Sequence, residues 1–118
     1  MKHRSAVLRL SLGCLCLGAA MHSAPTLDET PAAPGQWGFR PDPAAPSLVT
    51  PPGFSWRPQA DAVEYALEIS RTPDFATIED WADGIVWNVH CPPRTLASGQ
   101  WHWRFRCRDK SGEWSAWS

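Results

Sequence analysis

The segment from Trp101 to Arg108 alternates between apolar and polar side chains, and this alternation constrains the fold more than any other feature of the chain. One face carries Trp101, Trp103, Phe105 and Cys107, and the other carries His102, Arg104, Arg106 and Arg108. A period of two is typical of a β-strand, because successive side chains of a strand point to opposite faces. The segment therefore predicts a strand with one face in a core.

The same alternation occurs earlier, where Val63, Tyr65, Leu67 and Ile69 are separated by more polar residues. Shorter strand candidates are residues 47–50, 54–56, 78–81 and 85–90, with a turn at Asp83-Gly84. The 12 prolines argue against a helical bundle, because proline is poorly tolerated inside helices. Short strands with frequent turn signals predict an all-β antiparallel sandwich.

The N-terminus has the pattern of a secretory signal peptide over residues 1–20, with cleavage as late as residue 24 as an alternative. A basic start precedes an apolar stretch from Leu10 to Ala20 and then small residues. Residues 21–46 form a Pro/Ala-rich lead-in, and the predicted domain covers residues 47–118. We therefore expect a secreted or periplasmic protein.

The charge balance disfavours some classes of partner. Loss of the signal segment removes Lys2, Arg4 and Arg9, which changes the formal net charge from −1 to −4. Binding to nucleic acid through bulk positive charge is therefore not expected. No apolar run reaches the ~18 residues of a membrane span, so no span is expected either.

The arginine face of the last strand predicts a Trp–Arg ladder. Arg104, Arg106 and Arg108 would stand ~7 Å apart and repel one another. Trp114 and Trp117 follow the next turn, and their indoles can lie between the guanidinium groups as cation–π partners. A stabilising ladder is the main interpretation, and recognition of sulfated or uronic sugars by the arginines is the alternative.

The remaining aromatic side chains divide into core and surface candidates. Trp56, Trp101 and Trp103 lie in alternating segments and are expected in the core. Possible contacts to a glycan or to a protein interface are Trp37, Trp81, Trp87 and Arg94, and burial of these indoles is the competing interpretation.

No catalytic, cofactor-binding or metal-binding motif is present in the sequence. His90, Cys91, His102 and Cys107 lack the tight paired spacing of a structural zinc site. Cys91 lies before the loop that leads to the last strand, and Cys107 lies ~20 Å along that strand, so we expect two free thiols and no disulfide. The chain is therefore expected to have no enzymatic activity and no cofactor.

Several motifs resemble bacterial fibronectin type III-like modules. They are Phe54-x-Trp56-x-Pro58, Tyr65-x-Leu67-x-Ile69-Ser70, Asp74-Phe75 and Leu96-x-x-Gly99-x-Trp101-x-Trp103-Arg104-x-Arg106. Three further strings resemble the N-terminal domain of heparinase II/III-type polysaccharide lyases. They are Trp37-Gly38-Phe39-Arg40-Pro41, Pro51-Pro52-Gly53-Phe54 and residues 84–93.

This resemblance spans residues 36–118 and implies a fibronectin type III or immunoglobulin-like sandwich. It implies a non-catalytic accessory module of a secreted lyase, which positions the catalytic domain or contacts acidic polysaccharide. The partner implied is a downstream catalytic domain of the same polypeptide, and none of that domain's catalytic residues has a counterpart here. A stand-alone exported carbohydrate-binding or protein-binding module is the alternative.

Residues 114–118 also match the Trp-Ser-x-Trp-Ser box of type I cytokine receptors, which precedes the last strand of a sandwich. A seven-stranded sandwich needs a further strand beside Trp101–Arg108. We therefore expect a fold that lacks its last strand, a truncated domain within a longer protein, and unpaired backbone groups along the exposed edge.

Overall fold

The computed structural model describes residues 23–36, 38–42, 45 and 47–118, and the fold of these residues is all-β. Strands β1 to β5 cover Phe54–Ser55, Ala62–Ser70, Asp80–Ile85, Val89–His90 and His102–Asp109. β1 pairs with β4, and a second sheet has the order β3-β2-β5, with every pairing antiparallel. The predicted all-β class is confirmed, and the two sheets are compatible with a sandwich. The predicted signal peptide, residues 1–20, lies outside the described residues.

The core lies on one face of the three-stranded sheet. Its buried members are Phe54, Trp56, Tyr65, Leu67, Ile69, Phe105 and Cys107. The Trp56 indole is completely buried and stacks on Phe105 with ring centroids 5.5 Å apart. Trp101 and Trp103 are only partly buried and pack against the edge of this cluster. The alternation in β2 and β5 therefore identified the inner faces of both strands.

Two β-bulges were not predicted by the alternation. The register of β2 against β5 shifts between Ala62 and Glu64, and Val63 is 42% exposed instead of buried. The Asp83-Gly84 dipeptide is not a turn but lies within β3, where the register against β2 is irregular and Gly84 has φ +63°. A bulge adds one residue to one strand, which reverses the expected facing of the residues around it.

The segment before residue 47 contributes to the packed structure. Arg40 and Ser55 exchange two backbone hydrogen bonds of 2.9 and 3.0 Å, which extends the small sheet beyond β1. The Phe39 ring lies 6.1 Å from the Phe105 ring. The Gln59 side chain accepts a hydrogen bond of 2.7 Å from the backbone N–H of Asp28. Residues of the Pro/Ala-rich lead-in thus cover the edge of the core.

The outer edge of β5 is hydrogen-bonded to the C-terminal segment, residues 114–118, contrary to the expectation of unpaired backbone groups. Ser115 N–H donates to Cys107 O, and Ser118 N–H donates to Phe105 O, both at 2.9 Å. The two serine hydroxyls accept hydrogen bonds from the N–H groups of the same strand residues, at 3.1 and 3.0 Å. Two serines therefore satisfy both the donors and the acceptors of this edge, as a neighbouring strand would.

Two further observations concern the cysteines and the possibility of a membrane-spanning helix. Cys91 is exposed and Cys107 is buried, and both are free thiols, as predicted. Throughout the described part of the chain, we find no helix long and apolar enough to cross a membrane.

Candidate functional site

The outer face of β5 carries a stack in which aromatic rings and guanidinium groups alternate, and we call it the ladder. In order, its members are Phe75, Arg104, Trp117, Arg106, Trp114 and Arg108. The successive distances from guanidinium carbon to ring centroid are 4.2, 4.8, 4.6, 4.3 and 5.7 Å. All five distances lie within the ~6 Å range of a cation–π contact. The structure thus brings together the five residues that the sequence placed in a ladder.

Glutamates on the neighbouring strand β2 neutralise the outer arginines. Glu68 lies opposite Arg104, and its Oε2 accepts from Arg104 Nε at 2.8 Å and contacts Arg104 Nη2 at 2.6 Å. Glu64 lies opposite Arg108 and forms an ion pair with Arg108 Nε. These pairings show that the antiparallel register of β2 and β5 sets the charge pattern of the ladder.

The middle arginine has a different environment. The residue opposite Arg106 on β2 is Ala66, which cannot supply a carboxylate. Among the described residues, the Arg106 side chain has no ion pair and no hydrogen bond, and its Nε is buried without a partner. Its guanidinium lies between the rings of Trp114 and Trp117. The positive charge of Arg106 is therefore held by aromatic faces alone.

Phe75 is a ladder member that sequence reasoning missed. It lies in the turn after β2, and its φ of +54° is unusual for a residue with a side chain. Its backbone N–H donates to Thr72 O at 3.1 Å, and its ring covers the guanidinium of Arg104. Phe75 is 29 positions away from Arg104 in the sequence, and nothing in the local pattern around it indicated a long-range partner.

Two exposed indoles lie on β3 and in the loop that leads from it to β4, and we call this region, residues 80–90, the β3–β4 corner. They are Trp81, near the start of β3, and Trp87, after its end. They are 65% and 73% exposed. Trp81 is paired in register with Glu68, so both residues belong to the ladder face of the sheet. Trp87 lies in the loop between β3 and β4. Burial, the competing interpretation for these two indoles, is not what the structure shows.

The structure also brings Arg94 to this corner, through a contact with Asp80. Arg94 Nη2 lies 3.4 Å from Asp80 Oδ1, and the Arg94 side chain is 69% exposed. The same Oδ1 accepts a hydrogen bond of 2.9 Å from the backbone N–H of Trp81. Asp80 thereby connects an exposed cation to the strand that carries an exposed indole. Sequence reasoning missed Asp80, since an acidic residue in a short strand candidate, residues 78–81, gave no distinguishing signal.

Asp80 also influences a neighbouring histidine. Burial lowers the pKa of His90 below its ordinary value, because desolvation penalises the imidazolium form, and the charge of Asp80 partly opposes this effect. Asp80 itself is buried, and its Oδ2 has no hydrogen-bond partner among the described residues. The buried Asp80 thus interacts both with the exposed Arg94 and with the partly buried His90.

Neither cluster has the composition of a metal site. Nowhere in the described ranges do three or more His, Cys, Asp or Glu side chains group in a way that could hold a metal ion. Trp37, the remaining candidate contact, lies outside the described residues.

No protein-family model matches the sequence, and no curated protein matches it.

Proposed function

We propose that the chain is a fibronectin type III-like, non-catalytic accessory module of a secreted heparinase II/III-like polysaccharide lyase, and that it contacts acidic glycan at the β3–β4 corner. The observation that supports this function best is the exposure of Trp81 and Trp87, together with the exposed Arg94 side chain, which contacts Asp80 next to Trp81. An exposed indole offers an apolar face to a sugar ring, and a guanidinium pairs with carboxylate or sulfate oxygens.

The distribution of tryptophans supports this choice of site. Of the eight tryptophans, Trp37 lies outside the described residues. Five others have structural partners: Trp56, Trp101 and Trp103 belong to the core or its edge, and Trp114 and Trp117 belong to the ladder. Trp81 and Trp87 remain, with most of their surface in contact with solvent. A large exposed apolar side chain costs solubility, so two in one region of a small domain suggest a binding surface.

Binding to acidic polysaccharides tests the glycan contact. The full chain is titrated with heparan sulfate and with alginate, and the variants Trp81→Ala, Trp87→Ala and Arg94→Gln are compared with it. We expect each to bind about tenfold more weakly or worse, since a stacked ring or a charge-assisted hydrogen bond is worth ~1–3 kcal/mol. Leu48→Ala is the matched control, because Leu48 is 98% exposed and lies outside the corner.

Two results would contradict the proposal. One is no binding of either polysaccharide by the wild-type chain, and the other is unchanged binding by the Trp81→Ala/Trp87→Ala double variant.

The non-catalytic part of the proposal has its own test, because release of unsaturated uronic products by the purified chain would refute it. Sequencing of the source DNA beyond the Ser118 codon tests the accessory role. An open frame into a helix-rich region is expected, and an immediate stop codon contradicts it.

A protein-binding module is the second candidate, and exposed valines favour it. Val86 is 65% exposed and Val89 is 40% exposed, on either side of the Trp87 loop position. A saccharide gains little from aliphatic side chains, whereas a protein partner buries them. Two results together would favour this candidate. The wild-type chain recovers a specific protein partner that the Val86→Ser/Val89→Ser variant does not recover, and the wild-type chain binds no glycan.

A further inference from the structure

We infer that Arg106, at the middle of the ladder, is an oxyanion-binding site that takes the carboxylate or sulfate group of an acidic glycan. The inference rests on the proposed function for the identity of the ligand, and it adds a site distant in sequence from the β3–β4 corner. The observation behind it is the contrast between Arg106 and its two neighbours in the ladder.

The charges along the ladder are unequal. Arg104 and Arg108 each contact a glutamate of β2, so the fold already compensates their charges. Arg106 faces Ala66 and has no anionic partner among the described residues. The ladder with its two glutamates therefore carries one uncompensated positive charge, located at its centre.

The geometry of Arg106 suits an oxyanion. Trp114 and Trp117 hold the two faces of the guanidinium at 4.3 and 4.6 Å, which restricts its rotation. Its Nε is buried without a partner, and the residue as a whole is only partly buried. A guanidinium presents parallel N–H donors that match a carboxylate or a sulfate in a bidentate contact. Because the indoles already immobilise the side chain, binding costs little further entropy.

The arrangement also explains why structural stacking and anion binding are compatible. Cation–π contacts use the faces of the guanidinium, whereas hydrogen bonds use its edge. A bound anion would approach in the plane of the group and leave both indoles in position. Glu64 and Glu68 already form ion pairs with Arg108 and Arg104, which limits repulsion between a bound anion and these carboxylates.

The test uses two defined probes, a uronate-only oligosaccharide from alginate and a sulfated oligosaccharide from heparan sulfate. Each is titrated into the full wild-type chain, labelled with ¹⁵N, and the indole and arginine Nε signals are followed. We expect saturable shifts at Trp114, Trp117 and Arg106 with at least one probe. The probe that produces them identifies carboxylate or sulfate as the ligand group. Absence of such shifts with both probes would overturn the inference.

Variants give a second, independent readout. We expect Arg106→Gln to weaken binding about tenfold, since one bidentate charge-assisted contact is lost. Arg106→Lys keeps the charge but loses the planar fork, so its affinity should be intermediate. Lys110→Gln is the matched control, because it removes one exposed positive charge outside the ladder and should leave affinity unchanged. Equal affinities for Arg106→Gln and Lys110→Gln would refute a specific role for Arg106.

The outcomes separate this inference from the proposed function. Loss of polysaccharide binding in the corner variants, with unchanged binding in folded Arg106→Gln, would retain the function and refute the Arg106 site. Shifts at the ladder indoles without any effect of the corner variants would retain the Arg106 site and refute the corner. If Arg106→Gln does not fold, the titration of the wild-type chain decides the question alone.

Discussion

Replacement of Trp117 by alanine tests the energetic role of the ladder. The indole of Trp117 lies 4.8 Å from the guanidinium of Arg104 and 4.6 Å from that of Arg106, so its removal breaks two contacts at once. At ~0.5–2 kcal/mol for each contact, the loss is ~1–4 kcal/mol. A domain of this size changes its melting temperature by ~4–8 °C for each kcal/mol. We therefore expect Trp117→Ala to lower the melting temperature by ~4–32 °C, and the assay is thermal unfolding followed by near-ultraviolet circular dichroism.

The control is Trp87→Ala, because the Trp87 side chain is 73% exposed and no ring or guanidinium contact involves it among the described residues. Its expected effect on the free energy of unfolding is within ~0.5 kcal/mol. A double-mutant cycle between Trp117→Ala and Arg106→Gln isolates the contact itself, and we expect a coupling energy of ~0.5–2 kcal/mol. Equal destabilisation by Trp117→Ala and Trp87→Ala, or a coupling energy of zero, would show that the ladder is only a surface arrangement.

Three further predictions concern the strand edge, the corner and the thiols. Ser115→Ala should lower the free energy of unfolding in denaturant by ~1–3 kcal/mol, because the buried N–H of Cys107 loses the hydroxyl that accepts its hydrogen bond; an effect below ~0.5 kcal/mol would contradict this role. The folded-state pKa of His90 is lowered, so the unfolded chain binds more protons just below pH ~6.5, and stability should fall as pH decreases through that range. A pH series of melting temperatures checks this, and a His90→Gln variant with the same pH dependence would refute the assignment. Burial also raises the pKa of the Cys107 thiol, whereas Cys91 is exposed. Alkylation followed by mass spectrometry should therefore label Cys91 rapidly and Cys107 only on unfolding. Similar labelling rates at both sites would contradict the structure.

Period-two alternation explains why much of the fold was predictable. It identified Tyr65, Leu67 and Ile69 as the inner face of β2, and Phe105 and Cys107 as the inner face of β5. Alternation carries this information because a strand with one buried face has only one acceptable register. The all-β class followed from the same patterns.

The bulges and the long-range contacts were not predictable in the same way. The facing of Val63 depends on a register shift against β5, which is a property of two strands and not of one segment. Asp83-Gly84 has the composition of a turn, but the positive φ of Gly84 serves a bulge inside β3. The contact between Arg94 and Asp80 depends on how a loop folds back over a strand. Local composition contains none of this information.

The ladder was predictable in part, for a physical reason that also bears on function. Arginines at alternate positions of one strand must be separated by something, and two tryptophans close in sequence were available to do so. Sequence alone could not show which of the three arginines lacks an anionic partner, because this depends on the residues that lie opposite them on β2. There the register places Glu68, Ala66 and Glu64 in turn, and the small middle residue leaves Arg106 uncompensated. Ala66 is itself buried, so a carboxylate at that position would lose its hydration, and the charge of Arg106 is left to the two indoles. This uncompensated charge is what makes the centre of the ladder a candidate for binding an external anion.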